Sequence, residues 1–251
     1  MSKPKRISAD GPAPRQRFWK HAEVMSMEGG FAVALDGKPV RLPESSLLKV
    51  HSHALADTLA EEWNTAGMDD PKKRFTAEDL PLTRIAGTMI ERVAPHRQHS
   101  VDTLAHFGMH DLLCYRAAPT EPLGQRQAEQ WQPWLDWVHH HHHVSLIVTH
   151  GLMPVEQSVE ALEALKAALS QYSNEELAGL GVAVPALGSL VLGMALADDK
   201  LEAEKAVALA TLDEQTQMER WGVDAAQLDR IAAIGADVAD AARFIDLARE
   251  K

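Results

Sequence analysis

The segment Pro185–Ala197 is apolar on every side, and this constrains the fold more than any other feature of the sequence. Its large side chains follow no single stripe; they are Leu187, Leu190, Val191, Leu192, Met194 and Leu196. A helix that is apolar all round is typical of the interior of a domain. Proline is favoured in the first turn of a helix. We therefore expect a buried central helix that begins near Pro185.

A second helix is predicted from about Leu201 to Trp221, and Gly222 suits the position just past its end. At helical spacing its stripe runs through Ala203, Val207, Ala210, Glu214, Gln217 and Trp221. An unpartnered buried carboxylate is costly. Glu214 therefore either meets a partner inside the fold or lines a groove that contacts another molecule. A solvated helix face is the ordinary alternative, and spacing alone does not exclude it.

The formal net charge of −11 is unevenly distributed along the chain. From residue 151 onward there are 18 acidic against 8 basic residues, whereas residues 1–20 hold six basic residues and one aspartate. An acidic half would repel the phosphates of a nucleic acid. We therefore expect no nucleic-acid partner.

Cysteine content and hydropathy predict a soluble protein of a reducing compartment. Cys114 is the only cysteine, so an intrachain disulfide is excluded, and its apolar neighbours predict a buried side chain. The longest uncharged apolar run, Val182–Ala197, is too short to span a bilayer. No signal peptide is visible. We expect a location in the bacterial cytoplasm, or in the mitochondrial matrix if the source is eukaryotic.

The order of strand and helix signals predicts an α+β fold. Residues 18–43 are expected to form a small antiparallel sheet, because the large side chains of Phe31, Val33 and Leu35 alternate with alanines before the hairpin-turn signal Asp36-Gly37. Short strands are also expected at Leu112–Tyr115 and Val144–Val148, which either pair with each other or join the first sheet. The charged segment Asp69–Phe75 is a candidate hinge, and everything from Val155 onward has helical periodicity.

Motifs of common enzymes are missing from the sequence. There is no phosphate-binding loop, no dinucleotide-binding glycine pattern, no GxSxG elbow and no HExxH. The run His139–His143 could bring two or three imidazoles to one ion, but it contains no carboxylate to orient them. A metal-dependent or small-molecule enzyme that uses these histidines with Glu214 or Asp111 is the alternative hypothesis.

Several short motifs occur along the chain in a fixed order and spacing, nearly from one end to the other. In chain order they are Phe18–Lys20, Leu35–Arg41, Ala60–Trp63, Pro81–Arg84, Asp111–Arg116 and Gly188–Leu192. The most specific is Leu212–Glu214 followed by Gln217 and Trp221-Gly222. Together these motifs resemble the assembly chaperones of the F-type ATP synthase head that bind its α subunit. The run His139–His143 is not part of the resemblance.

The resemblance implies two domains: a β-rich N-terminal domain with one helix at 1–75, and a mainly helical domain at 76–251. It implies an ATP-independent chaperone that holds the free α subunit, and prevents its aggregation, until β subunits replace the chaperone. It implies no catalysis, cofactor, metal, small-molecule substrate or membrane insertion. An acidic residue of the Leu212–Trp221 helix is important in the family, and both Asp213 and Glu214 fit. The predicted partner-binding residues are Asp213, Glu214, Gln217, Glu219 and Trp221.

Overall fold

The computed structural model describes residues 14–150 and 155–250. The fold class is α+β, as predicted, with antiparallel strands near the N-terminus followed by a helical region. Contacts divide the chain into two compact units: the first ends at Arg97 and also takes in the chain from Arg243 onward, and the second is Gln98–Ala242. The domain boundary expected after residue 75 stays a prediction. Over the described ranges, no helix is long and apolar enough to cross a bilayer.

The first unit combines a four-stranded sheet and a separate two-stranded sheet with the helices α1 (His53–Thr65) and α2 (Pro81–Thr88). Its strands are β1 (Arg15–Gln16), β2 (Ala22–Met27), β3 (Gly30–Leu35), β4 (Lys38–Pro39), β5 (Lys49–Val50) and β6 (Arg74–Phe75). Helix α2 continues as one π-helical turn, Met89–Val93. Strand β3 pairs antiparallel with β2, β4 and β5, while β1 pairs with β6.

A tight turn and a close backbone approach constrain the four-stranded sheet. Asp36 and Gly37 both have positive φ (48° and 79°), so the predicted turn connects β3 and β4. The Asp36 carboxylate accepts hydrogen bonds from the backbone N–H groups of Lys20 and His21, and these bonds lower its pKa. At Gly30 a Cβ atom would lie 2.4 Å from the Val50 carbonyl oxygen, so only glycine fits there.

Glu62 joins α1 to α2. Its carboxylate accepts hydrogen bonds from the backbone N–H groups of Leu82 and Thr83, at 2.7 and 2.9 Å, and from the Thr83 hydroxyl at 2.9 Å. These N–H groups belong to the first turn of α2, where no acceptor within the helix is available. The side chain of α1 therefore caps the next helix.

The rest of the chain is mainly helical. The helices are α3 (Arg97–Gly108), α4 (Pro122–His142), α5 (Val159–Leu169), α6 (Asn174–Leu187), α7 (Leu190–Ala197), α8 (Ala203–Ala210), α9 (Leu212–Trp221) and α10 (Ala225–Arg249). Two short strands, β7 (Tyr115–Arg116) and β8 (Thr149–His150), pair in parallel on either side of α4 in the sequence.

The two strands expected in this region were placed wrongly. Leu112–Cys114 is a 3₁₀ turn, because the Asp111 side chain accepts the Leu113 N–H and bends the backbone before β7 begins. No residue of the expected strand Val144–Val148 is in a strand. Cys114 is buried, as predicted, and burial raises the pKa of its thiol to about 12, so the thiolate does not form at neutral pH.

Helix α7 is the predicted central helix, and every one of its residues is buried. Its start was predicted wrongly. Pro185 lies in the last turn of α6, which ends at Gly188 in the left-handed conformation (φ 66°). Helix α7 then begins after Ser189, whose hydroxyl accepts the N–H of Leu192 at 3.1 Å. The buried helix is therefore shorter than the apolar segment.

Asp111 connects the start of α7 to the 3₁₀ turn. Its carboxylate is fully buried and accepts hydrogen bonds from the Ser189 hydroxyl (2.8 Å), the Val191 N–H (2.9 Å) and the Leu113 N–H (3.0 Å). Burial raises its pKa to about 6, although all three donors favour the charged form. The carboxylate thus supplies buried acceptors that an apolar helix cannot supply itself.

Removing this carboxylate should destabilise the fold. Asp111→Ala leaves the N–H groups of Val191 and Leu113 without acceptors in the interior, which we expect to lower the free energy of unfolding by roughly 2–5 kcal/mol. Urea denaturation at pH 7 measures the change. Asp229→Ala, at an exposed position of α10, is the control and should change stability by less than about 0.5 kcal/mol. Equal stabilities for the two variants would refute the structural role of Asp111.

Candidate functional site

Helix α9 carries the predicted partner-binding residues. Leu212 is its one buried residue, and it anchors the helix to the second unit. Gln217, Glu219 and Trp221 are exposed, whereas Asp213 and Glu214 are partly buried. The five predicted side chains therefore lie on one short helix with much of their polar surface in water. Their role in binding a partner stays a prediction.

The single helix expected from Leu201 to Trp221 is wrong, because the chain forms two helices. Helix α8 ends at Ala210, and Thr211 interrupts the helix with φ −109° and ψ 22°. The buried Thr211 hydroxyl donates to the Val207 carbonyl at 2.8 Å and accepts from the Gln215 amide at 2.8 Å. The apolar stripe of α8 therefore ends before α9, and Glu214 does not interrupt it.

Asp213 is held at the edge of the core by α4. Its Oδ1 accepts a hydrogen bond of 2.7 Å from the Gln127 side-chain amide. The oxygen of the same amide accepts the Ala117 N–H at 2.7 Å, so the buried Gln127 has a fixed orientation. Burial raises the pKa of Asp213; the bond from Gln127 opposes this rise, and the neighbouring Glu214 carboxylate adds to it.

Glu214 and Glu219 each form one ion pair near water. Glu214 Oε1 lies 3.2 Å from Nη1 of Arg230 on α10; the Arg230 side chain is 67% exposed, but that of Glu214 only 22%. Glu219 Oε2 lies 2.8 Å from Nη1 of Arg126 on α4, and the Glu219 side chain is 61% exposed. Ion pairs with one largely exposed partner contribute about 0–1 kcal/mol each. Because Glu219 is the more exposed of the two carboxylates, an arginine or lysine from another protein could reach it more readily than Glu214.

Exposed apolar side chains follow these carboxylates in the sequence. Trp221 is 75% exposed, Val223 is 72% exposed and Leu228 is 47% exposed. Exposed large apolar groups that occur together are typical of interaction sites. Val223 and Leu228 were missing from the predicted set, although their position beside the predicted helix end at Gly222 was a signal for them.

Gly222 sets the direction of the chain between α9 and α10. Its φ of 97° and ψ of 163° fall in a region that only glycine occupies readily. The N–H of Gly222 donates to the Met218 carbonyl at 3.0 Å and closes α9. Glycine was predicted here as a helix terminator, and its backbone conformation explains why no other residue would serve.

The residues of the alternative enzyme hypothesis occupy structural positions. Asp111 is enclosed by its bonds to Ser189 and the backbone. His142 Nε2 lies 2.9 Å from Asp198, which also accepts the Tyr172 hydroxyl at 2.7 Å. His143, in the left-handed conformation, ends α4. Within residues 14–150 and 155–250, no group of three or more His, Cys, Asp or Glu side chains could hold a metal ion.

The sequence and the structure of this chain are similar to those of proteins named Atp12. Residues 16–139 match a family model described as the ATP12 chaperone protein. Atp12 from Paracoccus denitrificans has 37% identity and a TM-score of 0.83, over 93% of this chain and 98% of that one. An aspartate-to-lysine mutant of the same bacterial protein gives 36% identity, the same TM-score and the same coverage. Mitochondrial protein atp12 from Schizosaccharomyces pombe is 26% identical over 238 residues, which are 88% of this chain and 80% of the relative.

The amide of Gln127 should control the ionisation of Asp213. Gln127→Leu removes the donor to Asp213, so the pKa of Asp213 should rise further above its ordinary value. It also leaves the Ala117 N–H without its acceptor, and the free energy of unfolding should fall by about 1–3 kcal/mol. Carboxyl ¹³C NMR titration and urea denaturation measure the two effects. Gln125→Leu, at an exposed position of the same helix, is the control. An unchanged Asp213 pKa in Gln127→Leu would contradict the assignment.

Proposed function

This chain belongs to the ATP12 chaperone family, which assists assembly of the F-type ATP synthase, and we propose that it binds the free α subunit of the synthase head. The bound α subunit is kept from aggregating until β subunits replace the chaperone. Binding uses no ATP and no cofactor, and the protein catalyses no reaction. The observation that carries the proposal is the solvent-exposed α9, on which carboxylates lie close in sequence to an uncovered tryptophan.

The site of action follows from the client. The similar proteins come from a bacterium and from a mitochondrion. A chaperone of the synthase head must meet the α subunit where that subunit is folded and assembled. We therefore place this protein in the bacterial cytoplasm, or in the mitochondrial matrix if it comes from a eukaryote.

Apolar contact is the first part of the proposed binding. A ring subunit that has not yet met its neighbours exposes apolar interface and is prone to aggregate. Trp221, Val223 and Leu228 offer a matching apolar surface that is already in water. Tryptophan is enriched among the residues that contribute most to binding free energy, because its large rigid ring removes a large apolar area from water when the complex forms. Trp221 therefore acts as the main anchor for the client.

Exchange of ion pairs is the second part. Glu214 and Glu219 each keep one carboxylate oxygen on an internal arginine and could turn to a client arginine or lysine. Because the internal pairs are weak, breaking them on binding costs little free energy. The new pairs likewise add little affinity, and their main contribution is to orientation and specificity. The acidic charge of the C-terminal half accelerates the encounter and makes it sensitive to salt. The resulting affinity is moderate, as replacement by β subunits requires.

Asp213 has a different role from Glu214 in this proposal. Its carboxylate is half-buried and bonded to Gln127, so it orients α9 and contacts the client only with its outer oxygen. A lysine at this position would place a cation against the core, and loss of function would then be hard to separate from misfolding. Asp213→Asn keeps an acceptor for Gln127 and removes only the charge.

Reversing the exchangeable carboxylates should weaken client binding. We expect the double variant Glu214→Lys/Glu219→Lys to capture the α subunit at least roughly tenfold less tightly, because like charges then face the client's cations. Pull-down of purified α subunit and light scattering of α subunit diluted from denaturant measure capture and aggregation. The matched control is Glu204→Lys, an exposed reversal on α8. If the double variant and the control capture the α subunit and suppress its aggregation equally well, the proposed site is refuted.

Truncating the aromatic anchor should have a larger effect on binding than on stability. For Trp221→Ala we expect a loss of about 2 kcal/mol or more in binding free energy to the α subunit, as for buried interface tryptophans. Because the ring is 75% exposed, thermal stability should change little. Isothermal titration calorimetry and a melting curve measure the two quantities. Ile147→Ala removes another half-exposed apolar group of the same unit and should bind normally. If Trp221→Ala also lowers the melting temperature markedly, Trp221 stabilises the fold, and its loss of binding does not identify it as the anchor.

A further inference from the structure

The first compact unit contains a cavity of about 480 Å³, which is large enough for a small ligand or a few peptide side chains. Part of its lining is apolar and buried, and comes from Leu42, Phe75 and Leu80. Four arginines also line it, and all four are exposed: Arg15, Arg41, Arg84 and Arg92. The predicted client-binding residues of α9 belong to the other unit, so this cavity needs its own explanation.

The acidic residues of the cavity do not neutralise all four arginines. Glu44 pairs with Arg92 at 2.6 Å. Glu91 is buried, and its Oε1 accepts the backbone N–H groups of Glu44 and Ser46 at 2.9 and 3.3 Å. Among the residues that the structure describes, the guanidinium groups of Arg15 and Arg84 have no carboxylate partner. In a chain whose net charge is −11, the cavity is thus a local excess of positive charge.

A buried donor in the cavity wall also lacks a partner. Trp63 lines the cavity, and its indole Nε1 is buried without a hydrogen-bond acceptor among the described residues. Buried polar groups are nearly always paired, and an orphaned N–H costs free energy. This nitrogen is shielded from solvent, whereas another part of the indole lines the cavity. The Trp63 ring is therefore part of the cavity wall, and its N–H signal can report on an occupant without bonding to it.

We propose that this cavity binds a short segment of the client protein in which an apolar side chain stands beside an aspartate or glutamate. The apolar side chain would rest on Phe75 and its neighbours, and the carboxylate would meet the forked N–H groups of Arg84. The peptide nature of the ligand rests on the proposed function, since the client of a chaperone is a protein. A free anion would use the arginines but would leave the apolar lining uncovered.

Peptide titration of the whole protein tests the ligand class. The probes are the terminally blocked tripeptides Leu-Glu-Leu and Leu-Gln-Leu, together with inorganic phosphate. The readout is the indole N–H signal of Trp63 in ¹⁵N NMR spectra, assigned with Trp63→Phe. We expect the acidic peptide to shift this signal saturably and to bind at least roughly tenfold more tightly than the neutral one. Equal binding of both peptides, an equal effect of phosphate, or no shift at all would overturn the proposal.

Two variants with different chemistry locate the binding to the cavity. Arg84→Glu reverses a charge of the lining, and Thr88→Trp fills space one turn further along α2; both positions are exposed. Each should abolish the shift caused by the acidic peptide, while circular dichroism shows an unchanged fold. Lys38→Glu makes the same charge reversal on an exposed residue of the same unit outside the cavity lining and should bind the peptide normally. Normal peptide binding by both cavity variants would overturn the proposal.

Capture of the α subunit separates this inference from the proposed function. If the unmodified protein captures no α subunit, the proposed function fails, whatever the peptides do. If the unmodified protein and Arg84→Glu capture it equally well, the proposed function stands and the role of the cavity is refuted. Weaker capture by Arg84→Glu with normal capture by Lys38→Glu supports both.

Discussion

The hydrogen bonds of one buried carboxylate, Asp111, determine how the second unit is built. Helix α7 has no polar face, so the N–H groups of its first turn must find acceptors inside the protein. Asp111 and Ser189 supply them. Helices α4, α6 and α8 contact α7, and α9 follows α8 after a single residue. The helix of the candidate site is therefore attached to a helical core whose central member depends on a buried carboxylate, and α4 also contacts α9 directly.

Local patterns in the sequence were sufficient to predict features that depend on turn residues or on hydrophobicity. The Asp36-Gly37 turn, the burial of α7 and the burial of Cys114 follow from turn chemistry or from unbroken hydrophobicity. The errors occur where a side chain bonds to the backbone. Thr211 divides a continuous periodic stretch by bonding to Val207, and Asp111 turns an expected strand into a 3₁₀ turn. Periodicity carries no information about such bonds.

The candidate site shows the same limit at longer range. Acidic residues and a tryptophan beside a helix end could be recognised in the sequence. Their partners could not, because Gln127 and Arg126 are more than 80 residues distant from Asp213 and Glu219. Those partners decide how the carboxylates differ. Asp213 is fixed by a buried amide, whereas Glu219 is 61% exposed and is paired with the partly exposed Arg126. Two acids of one short helix thus have different freedom to contact another protein.

This difference matters for the proposed function, in which the protein both holds a client and releases it. A strong buried ion pair with the client would require a large desolvation cost on binding and would slow dissociation. Solvated pairs such as Glu219–Arg126 contribute little individually, so a competing subunit can displace them one at a time. In the proposed function, apolar contact through the exposed Trp221 supplies most of the binding free energy without requiring an exact charge match. An interface with one strong apolar anchor and several weak ion pairs can be displaced step by step. It therefore suits transient holding better than a tightly complementary interface does.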